Sequence, residues 1–449
     1  MRNSNRLLLA ASVAMAALSM GAAHRAMASG FALREMDGDQ TAHAFAGGVS
    51  EANSPDTAYS NPAGMALIDG VQIQLNVNGI FPSASFNGSN TLGGVTTSGS
   101  TGNVVQTAAT GGLSIVAPVN DRLNFGLAVA TPYGQRVDNP QNWVGNYQSL
   151  VSSITDVSVS LAASYKVTDQ FSIGGGPVFD MFEARLTQRV NMTAVLAPYV
   201  GGLAQGAALD AAGNTTGDMH GSDDGVGFNI GMMYQFSPQT RVGVDYRSQI
   251  EHSINGTQNI TPSNAIAALP LYGPAIAAAI AATSSSAATK VTLPDSVNIG
   301  ITHEVNPKLT LMAEAQWTDW SVLQSIVVTT NSAATGSTIN ENWKNTFYVG
   351  AGADYKLTDK FTLKGGLGYD QSPVTFSNRT TRIPDGDRFI VGLGAGYQIT
   401  NAVRVDIGYA HMFVGDVSIN NTTNAGSGAI IGKYTDSADS VSLSLNIKL

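Results

Sequence analysis

Val441-Ser-Leu-Ser-Leu-Asn-Ile-Lys-Leu449 places an apolar side chain at every odd position and a polar one at every even position. Period two is the mark of an extended strand with one greasy face. The pattern recurs upstream. Val157, Val159, Leu161, Ala163 and Tyr165 alternate with Ser158, Ser160, Ala162 and Ser164. Leu309, Leu311, Ala313, Ala315 and Trp317 alternate with Thr310, Met312, Glu314 and Gln316. Phe389, Val391, Leu393, Ala395, Tyr397 and Ile399 alternate with Gly392, Gly394, Gly396 and Gln398.

A soluble sandwich alternates too, so the connections decide. Six tight turns recur, at Asn120-Asp121, Thr168-Asp169, Ser237-Pro238, Asn306-Pro307, Thr358-Asp359 and Thr400-Asn401. Each joins two runs of roughly ten residues, enough to cross a bilayer when tilted. Between these hairpins lie segments rich in Gly, Ser, Thr and Asn, at approximately 81–107, 134–153, 194–223, 255–290, 321–343, 370–387 and 414–440. Short turns on one side and long loops on the other is the outer-membrane pattern. Six hairpins supply twelve strands; adding one at 71–80 and one at 441–449 makes fourteen. The expected fold is all-β, a 14-stranded antiparallel transmembrane β-barrel over 71–449 with seven long extracellular loops. Tyr133, Tyr165, Trp317, Trp320, Tyr369 and Tyr409 stand near strand ends, where an interfacial girdle or ordinary packing would place them.

Composition agrees. Charged residues are 12% of the chain, about half the usual share of a soluble protein, yet mean hydropathy is only +0.04. Zero cysteine excludes disulfides and thiolate chemistry. Residues 1–28 have the form of a secretory signal: Arg2 and Arg6, an apolar run from Leu7 to Ala17, then Ala26-Met27-Ala28 before Ser29. Without Arg2, Arg6 and Arg25, 20 basic residues face 32 acidic ones, a net charge of −12, which argues against nucleic-acid partners. No later segment has an apolar run of the roughly 18 residues a helical span needs.

Residues 29–70 lack period-two order and are long enough for a plug folded inside the barrel, or for a periplasmic tail. Ala194 to Ala212 and Asn264 to Ala282 are apolar, helix-like stretches within long loops. They suit a landing groove for a greasy molecule, or a pair of helices packed on one another. Strand parity puts Glu183, Arg185, Thr187 and Arg189 on the inward face of the fifth strand. It puts Arg241, Asp245 and Arg247 inward on the seventh, Lys364 on the eleventh, and Arg404 with Asp406 on the thirteenth. Such cations pair with a carboxylate ligand or with neighbouring acids. His411 lacks a readable serine elbow or orienting acid, so no catalytic residue is assigned. Gly392-x-Gly394-x-Gly396 sits mid-strand and makes room in the lumen. Asp218 with Asp223-Asp224 lacks a calcium-loop spacing. No cofactor and no metal are expected.

Several stretches together resemble the outer-membrane long-chain fatty acid transporters and their aromatic-hydrocarbon relatives. They are Ser29-Gly-Phe-Ala-Leu-Arg-Glu35, Ala44-Phe-Ala-Gly47, Ser60-Asn-Pro-Ala-Gly-Met65, Leu293-Pro-Asp-Ser296, Val305-Asn-Pro-Lys308, Gln316-Trp-Thr-Asp-Trp320 and Arg382-Ile-Pro-Asp-Gly-Asp-Arg388. The resemblance runs from about 29 to 449, although this chain ends in Leu449 where the family ends in an aromatic residue. It implies a monomeric fourteen-stranded barrel in outer-membrane lipid, with residues 29–70 as a hatch. A hydrophobic substrate would land among the loops, move to a pocket near the mature N-terminus, and leave sideways through a gap at a kink in the third strand. Phe31 matches the family's pocket-side aromatic. Asn61, Pro62 and Ala63 match its hatch motif facing the gap. Gly126 and Pro132 are the kink candidates in the third strand, and Arg185 and Arg189 the candidate headgroup cations. Passive import of long-chain fatty acids is the expected function. The alternatives are import of monoaromatic hydrocarbons or alkanes, and, in another class, a general porin or adhesin-like barrel.

Overall fold

The computed structural model describes residues 30–331, 337–422 and 426–449. The expected leader, residues 1–28, lies outside them. Fourteen wall strands follow one another around a closed antiparallel barrel. In chain order they are β1 Gln72–Leu92, β2 Ala108–Pro118, β3 Leu123–Ala130, β4 Val151–Lys166, β5 Phe171–Arg189, β6 Thr216–Ser237 and β7 Thr240–Arg247. Then come β8 Ser296–Asn306, β9 Leu309–Thr318, β10 Thr346–Lys356, β11 Phe361–Asp370, β12 Arg388–Thr400, β13 Val403–Asn421 and β14 Ala429–Lys448. The barrel closes where β1 pairs with β14, from Gln72↔Lys448 to Thr91↔Ala429. All six expected turns are the short connections at one end.

Alternation sorts the two faces of the wall. Phe179, Phe228, Ile230, Ile299, Val349, Leu393 and Leu443 stand 44–60% exposed around the outside, as side chains solvated by lipid do. Tyr165, Tyr369 and Tyr409 are also exposed, whereas Tyr133 and Trp320 turn into the lumen. The long loops are shorter than composition implies. β1, β13 and β14 run 21, 19 and 20 residues, so much of 81–107 and 414–440 is paired strand. Beyond the bilayer a strand still satisfies its backbone by pairing, but it needs no greasy face, so period two disappears from its sequence. The loop after β11 departs in another way. Its residues 379–385 are buried, and it folds into the barrel mouth rather than outward.

Gly30 to Gly70 lies within the barrel. It contains the short helices α1 Gly38–Ala42 and α2 Thr57–Ser60, then a 3-10 turn Pro62–Leu67. Asp37 caps α1, accepting from Gln40 N at 2.7 Å. Polar inward residues hold the segment. Asn78 donates to Glu35 O at 2.8 Å and Asn124 to Met65 O at 2.9 Å. Inward glycines let its backbone approach: a Cβ at Gly392 would lie 2.5 Å from Ala44 N. Gly394 and Gly408 face α1 in the same way.

Above the wall, the loop helices α3 Thr193–Val200, α4 Leu203–Ala212, α5 Asn264–Ala267 and α6 Gly273–Ala281 pack together. Leu196, Ile266, Ile276 and Ile280 form their common core. Tyr199, Leu203, Leu271 and Tyr272 remain exposed on top.

Candidate functional site

Two cavities in the lumen, one above the other, meet at an aromatic cluster. The upper one is lined almost wholly by carbon. Phe31, Ile154, Phe182, Ala184, Leu186, Ile254, Val291, Leu323, Ile326 and Ile383 surround it, with Gln135, Ser152, Ser153, Thr289, Glu341 and Arg382 as its polar residues. The lower one, about 130 Å³, is polar, with Arg34, Asp245, Arg247, Glu314 and Gln316 on its walls.

Phe31 stands at the junction. Its ring meets Trp320 at 5.0 Å, Trp343 at 5.6 Å and Tyr133 at 5.8 Å between centroids. Edge and tilted contacts of this kind add to the burial of large rings. The backbone around Phe31 is held too. Gly30 N donates to Asp385 Oδ2 at 2.8 Å, and Asp385 pairs with Arg388 at 3.0 Å.

The wall breaks beside this cluster. β3 ends at Ala130, and the chain resumes as a strand only at Gly134–Asp138. Ala108–Gly112 of β2 pair with β1 but not with β3. At the break lie Thr131, Pro132 and Tyr133. Proline lacks an N–H for the ladder, and Phe31 to Leu33 take over the freed backbone groups: Leu33 N donates to Pro132 O at 2.7 Å and Gly134 N to Phe31 O at 2.8 Å. Gly126, by contrast, lies in regular ladder between Val116 and Ala162, with Met65 and Ala58 against it. A small pocket at the break is lined by Asn76, Asn78, Thr110, Gly111 and Thr131, and shares Met36 and Tyr59 with the lower cavity.

Asn61, Pro62 and Ala63 sit elsewhere. Asn61 Nδ2 donates to Val49 O at 2.8 Å and Met232 O at 3.2 Å, and its Oδ1 accepts from Ala63 N at 3.1 Å. The motif packs on Gly174, Gly231 and Gly243 of β5, β6 and β7, not on the break in β3.

Parity on β5 is the reverse of expectation. Val178, Asp180 and Phe182 face inward; Phe179, Met181 and Glu183 face out. Arg185 is 43% exposed and pairs with Asp218 at 2.6 Å on the outer face. The polar-in rule fails here because the upper lumen is itself apolar: Phe182, Ala184 and Leu186 line it, and the charged side of the strand faces outward. Arg189 is buried at the strand's end. It donates to Asp210 O and Gly213 O and stacks on Tyr147 at 4.9 Å, so it fastens α4 rather than lining the cavity. The other inward assignments hold. Arg241 reaches Ser50 O at 2.8 Å, Arg247 reaches Tyr59 O at 2.9 Å, and Lys364 meets Asp354 at 3.3 Å.

The cation that does line the apolar cavity is Arg382. Nη1 donates to Ser152 Oγ at 3.0 Å and Nη2 to Gln188 Oε1 at 2.6 Å. Both acceptors are neutral, and among the described residues no carboxylate lies within ion-pair distance. Burial pushes the guanidinium down to about 10, with Glu341 opposing the shift. Burial pushes the Glu341 carboxyl up to about 8, so it is largely protonated near neutrality; Trp343 Nε1 is 3.0 Å from its Oε2. Arg382 opens the stretch Arg382-Ile-Pro-Asp-Gly-Asp-Arg388, which carries no sign of its role. Its loop shows no period-two pattern, so nothing short of the fold turns it inward.

A closed barrel with a filled lumen, an apolar chamber and a broken wall strand defines an outer-membrane channel for hydrophobic molecules. Residues 19–449 match the outer membrane protein transport protein family (OMPP1/FadL/TodX), and the chain belongs to that family. The long-chain fatty acid transport protein of Escherichia coli K12 is 26% identical over 409 residues, covering 88% of this chain and 90% of the relative. The crystal structure of a Pseudomonas aeruginosa FadL homologue superposes with a TM-score of 0.82 at 26% identity, covering 93% of this chain and 99% of that one. The Ralstonia pickettii toluene transporter TbuX shares the fold, with a TM-score of 0.64 at 16% identity over 92% and 98% of the two chains. The protein is thus an outer-membrane transporter of hydrophobic compounds.

Proposed function

We propose that the barrel imports long-chain fatty acids as a monomer and by passive diffusion. The observation that carries this reading is Arg382, a buried cation at the edge of an apolar chamber with only neutral acceptors. A hydrocarbon gives such a cation nothing to bind, whereas a carboxylate gives it a charge-assisted partner. Protonated Glu341 beside it supplies a donor rather than a repelling charge. The acyl chain enters among Phe182, Ile254 and Leu323, where each buried CH₂ contributes about 0.8 kcal/mol. From there the ligand passes the aromatic cluster at Phe31 into the lower cavity and out through the break beside Pro132. Because Phe31 to Leu33 bond the broken edge of β3, movement of the N-terminal segment and opening of the wall are one event.

Uptake of labelled oleate and labelled toluene by cells lacking their own transporter tests the assignment. The proposal expects oleate entry that Arg382→Met reduces at equal surface expression. Toluene entry indifferent to Arg382→Met transfers the assignment to aromatic hydrocarbons. Steady ion conductance in planar bilayers, without uptake of either compound, supports the porin reading instead.

A further inference from the structure

We infer that the N-terminal segment holds a divalent transition cation, zinc being the first choice, between His43 Nδ1, Asp39 and Glu51. His43 follows α1 and is fully buried. Its Nε2 lies 2.7 Å from Asp354 Oδ1. An ionised carboxylate only accepts, so Nε2 carries a proton, and Nδ1 is the ring nitrogen left to take a cation in exchange for its own proton. Nδ1 has no hydrogen-bond partner. It lies 3.9 Å from Asp39 Oδ1 and 3.9 Å from Glu51 Oε2. These three side chains therefore converge on one buried point, where Asp39 Oδ1 also accepts from Lys364 Nζ. Among the described residues this is the one such group whose ligand atoms all lie within 4.8 Å of one another.

The spacing fits an ion. Two ligand atoms each about 2.1 Å from zinc stand roughly 3.4 Å apart at the tetrahedral angle and about 4.2 Å apart in line. One imidazole nitrogen with two carboxylates suits zinc and its neighbours in the first transition row. The surroundings are those of a ligand set. Asp354 orients the imidazole, the carboxylate–histidine arrangement common behind metal ligands. Asn53 Nδ2 holds the remaining oxygens, Glu51 Oε1 at 2.5 Å and Asp39 Oδ2 at 3.1 Å. Lys364 donates to Asp39 from the wall side and also meets Asp354 and Asp406; Arg404 pairs with Asp406 at 2.8 Å. Glu51, however, has no Lys or Arg side chain within ion-pair distance among the described residues. A bound cation would supply the counter-charge that holds its carboxylate ionised. A cavity of about 160 Å³ at the short-turn end, lined by Asp39, Asn53, Asn401 and Arg404, supplies the entry path from the periplasmic side. The ion would tie residues 39 to 51 together and, through Asp354, to β10.

The test uses the full chain in detergent, stripped with EDTA, dialysed against zinc chloride and assayed by elemental analysis. The inference expects one zinc per chain. Glu51→Gln should weaken binding at least tenfold while the barrel keeps its heat-modifiable gel mobility. Cobalt loaded into the wild type should give visible ligand-field bands that His43→Gln removes. A wild-type chain that holds no zinc overturns the inference, leaving a doubly protonated His43 between the acids. Binding retained in Glu51→Gln and His43→Gln but lost in His220→Ala also overturns it, by placing the ion on the exposed His220–Glu183 pair, 3.0 Å apart in the upper wall.

Discussion

The lower and upper halves of the lumen share one wall but obey opposite rules. Below, inward positions are glycine, asparagine or charge: Gly392, Asn78, Arg241, Lys364. Above, they are Phe182, Ile254 and Val291. The difference follows from what fills each half. The lower half holds a polypeptide, whose buried N–H and C=O groups need partners and whose backbone needs room. The upper half holds a space for a greasy ligand, and only apolar walls make that space favourable. Strand alternation fixes which residues share a face, but the contents of the barrel decide whether the inner face is wet or dry.

The sharpest way to break this contrast is to exchange the demands of the two halves. Lys364→Met removes the cation among Asp39, Asp354 and Asp406. Leaving buried acids unpaired costs about 3–5 kcal/mol, so the folded fraction and the melting temperature should drop. Near-wild-type stability would show that the lower network is not what fixes the segment. Arg382→Met should do the reverse, leaving stability nearly intact but weakening oleate. A charged hydrogen bond contributes roughly 1.5–3 kcal/mol, so titration of the purified barrel should show about a tenfold to hundredfold rise in Kd. The affinity for a neutral alkane should not change.

These two substitutions also mark what was legible in the sequence. Parity places Lys364, Arg404 and Asp406 inward correctly because the wall around them is regular ladder. The same rule places Arg185 inward, wrongly, because it takes the lumen to be polar throughout. Arg382 and Glu341 carry no periodic signal, since their loops are irregular and their burial arises from tertiary packing, Arg382 against β4 and β5 and Glu341 beside Trp343 at the chamber wall. The strand count was readable because turns are local; the break in β3 was visible only as Pro132, one proline among 16 in the chain.

Smaller effects sharpen the upper half. Glu341 lies above its ordinary range, at about 8, so it is neutral below that pH and becomes an anion as pH rises through it. Oleate affinity should therefore decline between about pH 7 and 9, by up to roughly tenfold per unit once the group ionises. Glu341→Gln should flatten that decline, and an unchanged profile would remove Glu341 from the site. Arg185→Ala should have the least effect. Its pair with Asp218 is half-exposed, and such pairs contribute about 0–1 kcal/mol, so oleate uptake at equal expression should match the wild type. A large loss would return the headgroup to the outer face of β5.

The most direct measurement is the crystal structure of the full chain with a fatty acid brominated at its tail. The account predicts an anomalous bromine peak within the chamber bounded by Phe182, Ile254 and Leu323, and carboxylate density against Arg382. Bromine found only among α3 to α6, or in the chamber with the carboxylate turned away from Arg382, would contradict it.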